Sequence, residues 1–388
     1  MTRRALILVT HLLGTGHLAR AALIARALER LGVATTLVSG GLPVPGLATG
    51  AVDVVQLPPV RAEDARFRRL VDGDGRAVDE SLLAARRAAV LDAFRATAPH
   101  IVVVEHYPFG RRKLAAEFQA LIAAARAARP PAVVVGSVRD ILVAQADPAR
   151  HAAMAAAARA ELDALLVHGD RRVVAFEASF PLAASLAGRI VYTGYVAQPL
   201  EPMAPGGPGR GEVVVSAGGG AVGEALIDAA LGAAALDPGR RWRLLAGPAL
   251  AGGARDRLAR GAGANTTTEA NRPDFRRVLA NCSVSVSQAG YNTMVDVLMV
   301  RARAVVVPFS AEGQTEQAVR AERLAAMGLV HVIAEADLAP AVLADMVARV
   351  ATLPRPPSGA VDLAGAERTA ELLDRWSGLG HADVARAQ

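Results

Sequence analysis

The sequence predicts an α/β protein built from two doubly wound, Rossmann-like domains facing each other across a cleft. Three observations carry this. At 388 residues the chain has length for two or three domains of roughly 100–200 residues, each able to bury its own core. Short β-branched apolar runs alternate with Ala/Leu/Arg helical patterns almost throughout, as expected of strands buried on both faces of parallel sheets. The alternation stops mid-chain at a Pro/Gly cluster and then restarts, giving two βαβ series of similar size.

In order, Ala5–Val9, Thr35–Val38, Ile101–Val104, Ala132–Val135, Leu165–Val167 and Ile190–Tyr192 read as strands, with helical patterns between them such as Leu18–Leu31 and Glu80–Thr97. Residues 1–197 form the first domain. Pro199, Pro202, Pro205, Gly206, Gly207, Pro208 and Gly209 then crowd a linker over 198–210. The second domain, 211–388, has strands at Glu212–Val215, Trp242–Leu245, Thr266–Thr268, Val284–Val286, Ala304–Val307 and Val330–Val332. A shorter break at Leu353–Gly359 precedes a last helix near Ala364–Trp376, which is free to pack back on the first domain. No solenoid-type repeat is evident.

Composition narrows the classes. With 52% hydrophobic residues the chain is not disordered. Mean hydropathy is mildly positive, yet no apolar run reaches the ~20 residues that span a bilayer. The opening apolar stretch ends at Thr10-His11 with no small-residue cleavage site after it, so a soluble cytoplasmic protein is expected. The single cysteine, Cys282, excludes an internal disulfide framework and a cysteine-based zinc cluster. The net charge is +6 and Lys113 is the only lysine. No Arg/Lys stripe interleaves with aromatics, so no nucleic-acid partner is expected. The modest positive field suits phosphate-bearing substrates or an anionic membrane surface.

Ligands of doubly wound sheets bind beyond the carboxyl ends of the strands, so those residues carry the functional reading. After the first strand come Gly14, Gly16 and His17, followed at once by a helix. Glycines permit close backbone approach, helix-start amides favour anions, and the same positive potential tends to hold an imidazole neutral, as a general base requires. The second series opens likewise with Ser216, Gly218, Gly219, Gly220 and Gly223. A dinucleotide enzyme would place an acid about 20 residues on, at the end of the next strand. Here the next strands end in Leu245-Ala246-Gly247 and, in the first domain, Val38-Ser39-Gly40, which argues against NAD or FAD. The segment Ser287-Gln288-Ala289-Gly290-Tyr291-Asn292-Thr293 runs from strand to helix, with Asp296 able to reach back toward a bound polyol. After Pro308-Phe309, residues Glu312, Gln314, Glu316 and Gln317 supply further polyhydroxyl-binding groups. Each of these also fits an ordinary solvated helix start.

Together these motifs resemble GT-B glycosyltransferases of the MurG-like, glycosyltransferase family 28 type, and most nearly their bacterial "predicted glycosyltransferase" relatives. Segments similar to those relatives include Glu105 to Arg112, Ser137 to Ile141, Val167 to Asp170, Tyr192 to Tyr195 and Ser287 to Thr293, and the likeness runs from about residue 4 to 350. The resemblance implies a sugar transfer from a nucleotide diphosphate donor, UDP-linked by preference, to an unidentified nucleophilic acceptor, with inversion. It implies that Asp296 bonds the ribose and that Glu316 and Gln317 read the sugar hydroxyls. Gly218–Gly220 and Ala289–Thr293 would cradle the diphosphate, and the backbone near Asn271 and Arg272 would meet the base. His17 takes the place of the histidine acting near the acceptor. Asp replaces the family's usual Glu at 296, and the polar pair lies one residue further from Pro308-Phe309 than the family pattern.

Helix-start amides can stabilise a departing diphosphate electrostatically, so neither a metal nor a resident cofactor is expected. Glu105 and His106 stand second to His17 as bases, whereas His168 reads as a structural histidine. Arg139 and Asp140 fit an ion pair as well as a substrate contact. Asp72-Gly73-Asp74, like a metal-holding D-x-D, reads as a turn with no strand leading in. The Arg-rich segment Arg61–Arg87 reads as an acceptor or membrane-facing element, or as a charged surface helix pair. The rival functions are a nucleotide-sugar hydrolase using the same site with water as acceptor, and a non-catalytic sugar-nucleotide sensor.

Overall fold

The computed structural model describes residues 2–64, 67–200, 206–217, 223–247, 261, 263–270, 272–309, 315–379 and 384. The chain divides into two compact units. One gathers residues up to Arg171, Ala175–Val196 and Ala364 onward, and the other gathers Arg172–Val174 and Ala197–Leu363.

In the first unit the chain runs β1 (Arg4–Val9), α1 (Gly16–Arg30), β2 (Ala34–Ser39), β3 (Asp53–Gln56), β4 (Val60–Ala62), β5 (Leu70–Asp72), α2 (Glu80–Thr97), β6 (Ile101–Glu105), α3 (Ala115–Ala127), β7 (Val133–Arg139), α4 (Pro148–Glu161), β8 (Ala164–His168) and β9 (Ile190–Tyr192). Seven parallel strands order as β3-β2-β1-β6-β7-β8-β9. Leu6, Leu8, Val102 and Val104 face one core, while Ala5, Ile7, Val9, Ile101 and Val103 face the other, which is why these strands are apolar at every position. The chain leaves β1 toward β2 on one side and returns as β6 on the other. The topological switch point therefore lies between β1 and β6, and their carboxyl ends open the crevice.

The second unit repeats the plan with β10 (Val213–Ser216), α5 (Glu224–Leu236), β11 (Trp242–Ala246), β12 (Thr266–Ala270), α6 (Phe275–Asn281), β13 (Val284–Ser287), α7 (Tyr291–Met299), β14 (Ala304–Val306), α8 (Glu316–Ala326), β15 (His331–Val332) and α9 (Pro340–Ala351). Its parallel order is β12-β11-β10-β13-β14-β15, with the switch between β10 and β13. The last helix, α10 (Gly365–Trp376), belongs to the first unit. Its Ala366, Ala370, Leu373 and Trp376 bury against Ala21, Ile24, Ala25 and Leu28 of α1. Gly365 lets it dock, because a Cβ there would lie 2.5 Å from the Gly194 carbonyl oxygen.

Three features depart from the sequence expectation. The edge strand β3 has a mostly exposed pattern, so no buried run announces it. Arg61–Arg87 is not a helix pair: β4 and β5 form an antiparallel hairpin, with Val60, Leu70 and Val71 buried, and α2 follows it. A short strand does lead into Asp72-Gly73-Asp74, and the Asp72 carboxylate closes the turn by accepting from the Asp74 and Arg76 amides at 2.9 and 2.8 Å. Among the described residues, no helix is long and apolar enough to cross a membrane.

Candidate active site

The β1/β6 crevice of the first unit holds a buried polar cluster. The loop after β1 delivers His17 onto the first turn of α1, and Glu105 is the last residue of β6. The His17 Nδ1 lies 2.8 Å from Glu105 Oε1, with the histidine 19% and the carboxylate 1% exposed. Arg20 Nη2 also lies 3.2 Å from this nitrogen, but the shorter contact is to a carboxylate, which only accepts, and it favours the proton on Nδ1 and a lone pair on Nε2. Arg20, one helical turn on from His17, donates to the same Glu105 oxygen, and Ser137 Oγ donates to the other. Glu105 was expected as a reserve base. Both of its oxygens are engaged and its side chain is buried against His17, Arg20 and Ser137.

His106, the other reserve base, follows β6 at a left-handed φ of 65°. Its ring packs on the His17 ring at a centroid distance of 4.9 Å, and its Nδ1 is buried without a partner. Gly110 makes room for it, since a Cβ there would stand 2.4 Å from His106 Cδ2. Burial holds the His17 imidazole well below its ordinary pKa, and the guanidiniums of Arg111, Arg20 and Arg139 push in the same direction, as does His11. Burial likewise depresses His106, with His17, Arg111 and Arg139 adding to it against Glu105. Burial lowers Arg111 to about 10, and its Nε donates to the Thr10 carbonyl at 2.5 Å. Both histidines are thus neutral at rest.

A second buried pair braces the end of β1. Arg86 donates to Glu117 from Nε and Nη2 at 2.8 Å each and from Nη1 to the Gly40 carbonyl at 2.8 Å. Arg20, Arg86, Arg111, Glu117 and Ser137 all escaped the sequence reading as members of this cluster. The i, i+3 spacing of His17 and Arg20 was the one available signal. Gly14 lies exposed with open space where a Cβ would go, and Gly16 begins α1.

In the second unit, Ser216 and Ser287 end the adjacent strands β10 and β13 in register, both buried. Gln288, Ala289 and Gly290 form the turn into α7, whose first residues include Asn292 and Thr293. Among the described residues the helix start has no side-chain N-cap hydrogen bond. Asp296 lies further along α7, 3.7 Å from Arg276 and 24% exposed. Burial raises its carboxyl to about 6, against the pull of Arg276.

Glu316 is buried at the start of α8. Gln317 has a bracing role that its sequence position did not suggest. Its Oε1 accepts from the Ala289 and Phe309 amides at 3.0 and 3.2 Å, tying together the turns after β13 and β14, so a sugar contact narrows to its amide nitrogen. The Arg272 guanidinium is held by Asp274 at 2.7 and 2.9 Å and by Glu269 at 3.0 Å. Gly218, Gly219, Gly220 and Asn271, with Glu312 and Gln314, lie outside the described residues.

Known proteins similar to this chain share its fold. Residues 259–358 match the glycosyltransferase family 28 C-terminal domain. The chain has the GT-B fold, and its second unit carries a domain of the glycosyltransferase family 28 type. The chain has the fold of the calicheamicin glycosyltransferase CalG4, at 17% identity over 100% of this chain and 98% of the other, with a TM-score of 0.60. It also resembles MurG of Acinetobacter baumannii, at 14% identity, 97% and 100% coverage and a TM-score of 0.56. The glycosyltransferase VinC, solved in complex with dTDP, aligns at 14% identity over 99% and 100% with a TM-score of 0.58. No curated protein sequence matches the chain.

Proposed function

We propose that this glycosyltransferase moves a sugar from a UDP-linked donor to a hydroxyl or similar nucleophile by single displacement, with inversion and without a metal. The observation that carries the reading is the His17–Glu105 pair. A neutral imidazole with Nδ1–H on a buried carboxylate presents Nε2 to an acceptor proton, and the carboxylate stabilises the imidazolium as it forms. A double displacement would need a carboxylate able to reach the anomeric carbon. Glu105 is buried and occupied by three donors, which favours direct attack.

On the donor side, the β10 and β13 termini and the amides of α7 are assigned to the diphosphate, Asp296 to the ribose and Glu316 with the Gln317 amide nitrogen to the sugar. As the donor bond breaks, negative charge grows on the diphosphate, and fixed helix-start dipoles stabilise it without reorganisation. Uridine is preferred on the sequence resemblance, whereas VinC was solved with dTDP.

The test is titration of wild type and His17→Ala with UDP, dTDP and GDP, with EDTA or magnesium, followed by turnover of the donor that binds. His17→Ala should keep nucleotide affinity within about twofold and lose at least ~100-fold in turnover. A fully active variant would remove His17 from the chemistry. Loss of binding in EDTA would refute the metal-free reading.

A further inference from the structure

His168 reads as structural in the sequence, and Ser137 and Thr193 lie in segments of family likeness with no role assigned to them. All three are buried, and they continue the His17–Glu105 pair across the sheet. Ser137 lies on β7 directly opposite Glu105 of β6, and Leu166 of β8 faces Ser137 from the other side, which brings His168, two residues on, to the same end of the sheet. Ser137 Oγ donates to Glu105 Oε2 and stands 2.8 Å from His168 Nε2. His168 Nδ1 in turn stands 2.8 Å from Thr193 Oγ1.

The direction of the protons between Glu105 and His168 can be assigned. A carboxylate cannot donate, so the single Ser137 hydroxyl proton points to Glu105. Ser137 must then accept from His168, which fixes the proton on Nε2 and leaves Nδ1 as an acceptor beside the Thr193 hydroxyl, which also lies 3.1 Å from the Gly194 carbonyl. This ordering requires a neutral His168, and burial pushes its pKa down to about 3, with Arg20 adding to the effect and Glu105 opposing it.

We propose that Ser137, His168 and Thr193 are positioning residues that act through Glu105. They form a one-way hydrogen-bond chain that locks the carboxylate plane so that Oε1 meets His17 Nδ1. A carboxylate held at one oxygen only can rotate about its terminal torsion, which is broad and roughly two-fold. Ser137 on the second oxygen removes that freedom, His168 Nε2–H keeps the Ser137 proton on Glu105, and Thr193 holds the His168 ring from its other side. Partners of this kind behind a histidine–carboxylate pair are worth about 10–100-fold in activity when lost.

The inference rests on His17 acting as the base. The experiment compares Ser137→Ala, Ser137→Thr, Thr193→Val and Thr193→Ser for kcat, donor KM, thermal midpoint and the NMR resonance of the His17 Nδ1–H. Ser137→Ala should lower kcat at least ~10-fold at unchanged donor KM and move the Nδ1–H resonance upfield. Thr193→Val should do the same to a smaller degree, and the hydroxyl-keeping Ser137→Thr and Thr193→Ser should recover most of kcat.

Wild-type kcat and an unmoved resonance in both Ser137→Ala and Thr193→Val would overturn the proposal. So would a kcat loss that follows only the thermal midpoint and is not recovered by the hydroxyl variants. If Ser137→Ala does not fold, the Thr193 pair decides by the same criteria. Failure of the parent reading looks different: His17→Ala stays active whatever these variants do.

Discussion

At the residue scale, environment assigns roles that residue type alone leaves open. Glu105 and His17 both read as bases in the sequence, and only their burial and contacts separate them, the carboxylate being 1% and the histidine 19% exposed. Asp296 presents the same lesson as a cost. Its native pKa of about 6 lies above the ordinary carboxylate value of about 3.9, so the native state holds the proton more tightly between those values. The sign follows: its contribution to stability is fully present below about pH 4 and is lost as pH rises through about 6. Allowing for its partial exposure, the ionised form costs about 1–2 kcal/mol at pH 7. Asp296→Asn should therefore raise the thermal midpoint at pH 7–8, with the gain shrinking toward pH 4–5. It should also weaken UDP binding about fivefold or more, as expected of a lost charged hydrogen bond. Wild-type affinity for UDP should fall as pH drops through about 6, because a protonated carboxyl is a poorer acceptor for ribose hydroxyls. Melts and calorimetric titrations across pH 5–8 check both halves. Unchanged affinity in the variant would detach Asp296 from the ribose.

At the element scale, the strands that were legible are those buried on both faces, such as β1 and β6, because continuous apolar runs leave little else to be. The exposed edge strand β3 and the hairpin of β4 and β5 were not, since three or four residues of mixed burial carry no periodicity. Nor could sequence reveal that α2 and α3 are joined by a fully buried Arg86–Glu117 pair, because residues 31 positions apart share no local pattern. That pair is a demanding element of the fold. Gly40 sits so close that a Cβ would lie 2.3 Å from Thr10 Oγ1 and 2.5 Å from Arg86 Nη2, so the ends of β1 and β2 have no slack. Arg86→Met would leave the Glu117 carboxylate buried and uncompensated, and should cost about 3–5 kcal/mol. The double variant Arg86→Met with Glu117→Leu should recover much of this, since matched apolar partners leave no unpaired charge. Denaturant unfolding of the two variants distinguishes a charge effect from lost packing: equal destabilisation would mean that packing alone mattered.

At the scale of the whole molecule, the two βαβ series were legible because each repeats one rule, and the site loops followed from it. Residues after β1, β6, β10 and β13 fall at the two switch points. The ownership of the last helix is a tertiary matter. Gly365 backbone donates to the Tyr195 carbonyl at 3.0 Å, and Trp376 is fully buried among α1 residues, so the carboxyl-terminal end of the chain completes the amino-terminal core. A lesion there should therefore act on the unit that holds His17 and spare the unit that holds Asp296. Trp376→Ala removes a large core side chain and should cost about 3–5 kcal/mol. Hydrogen exchange should show lost protection in β1, α1 and α10, with β10 and β13 unaffected. UDP affinity should stay at the wild-type level while turnover falls, since α1 carries His17 and Arg20 and packs directly on α10. Lost protection in β10 and β13 as well, or a matching loss of UDP affinity, would show that the units unfold as one, and that the division drawn by contacts is not a division of stability.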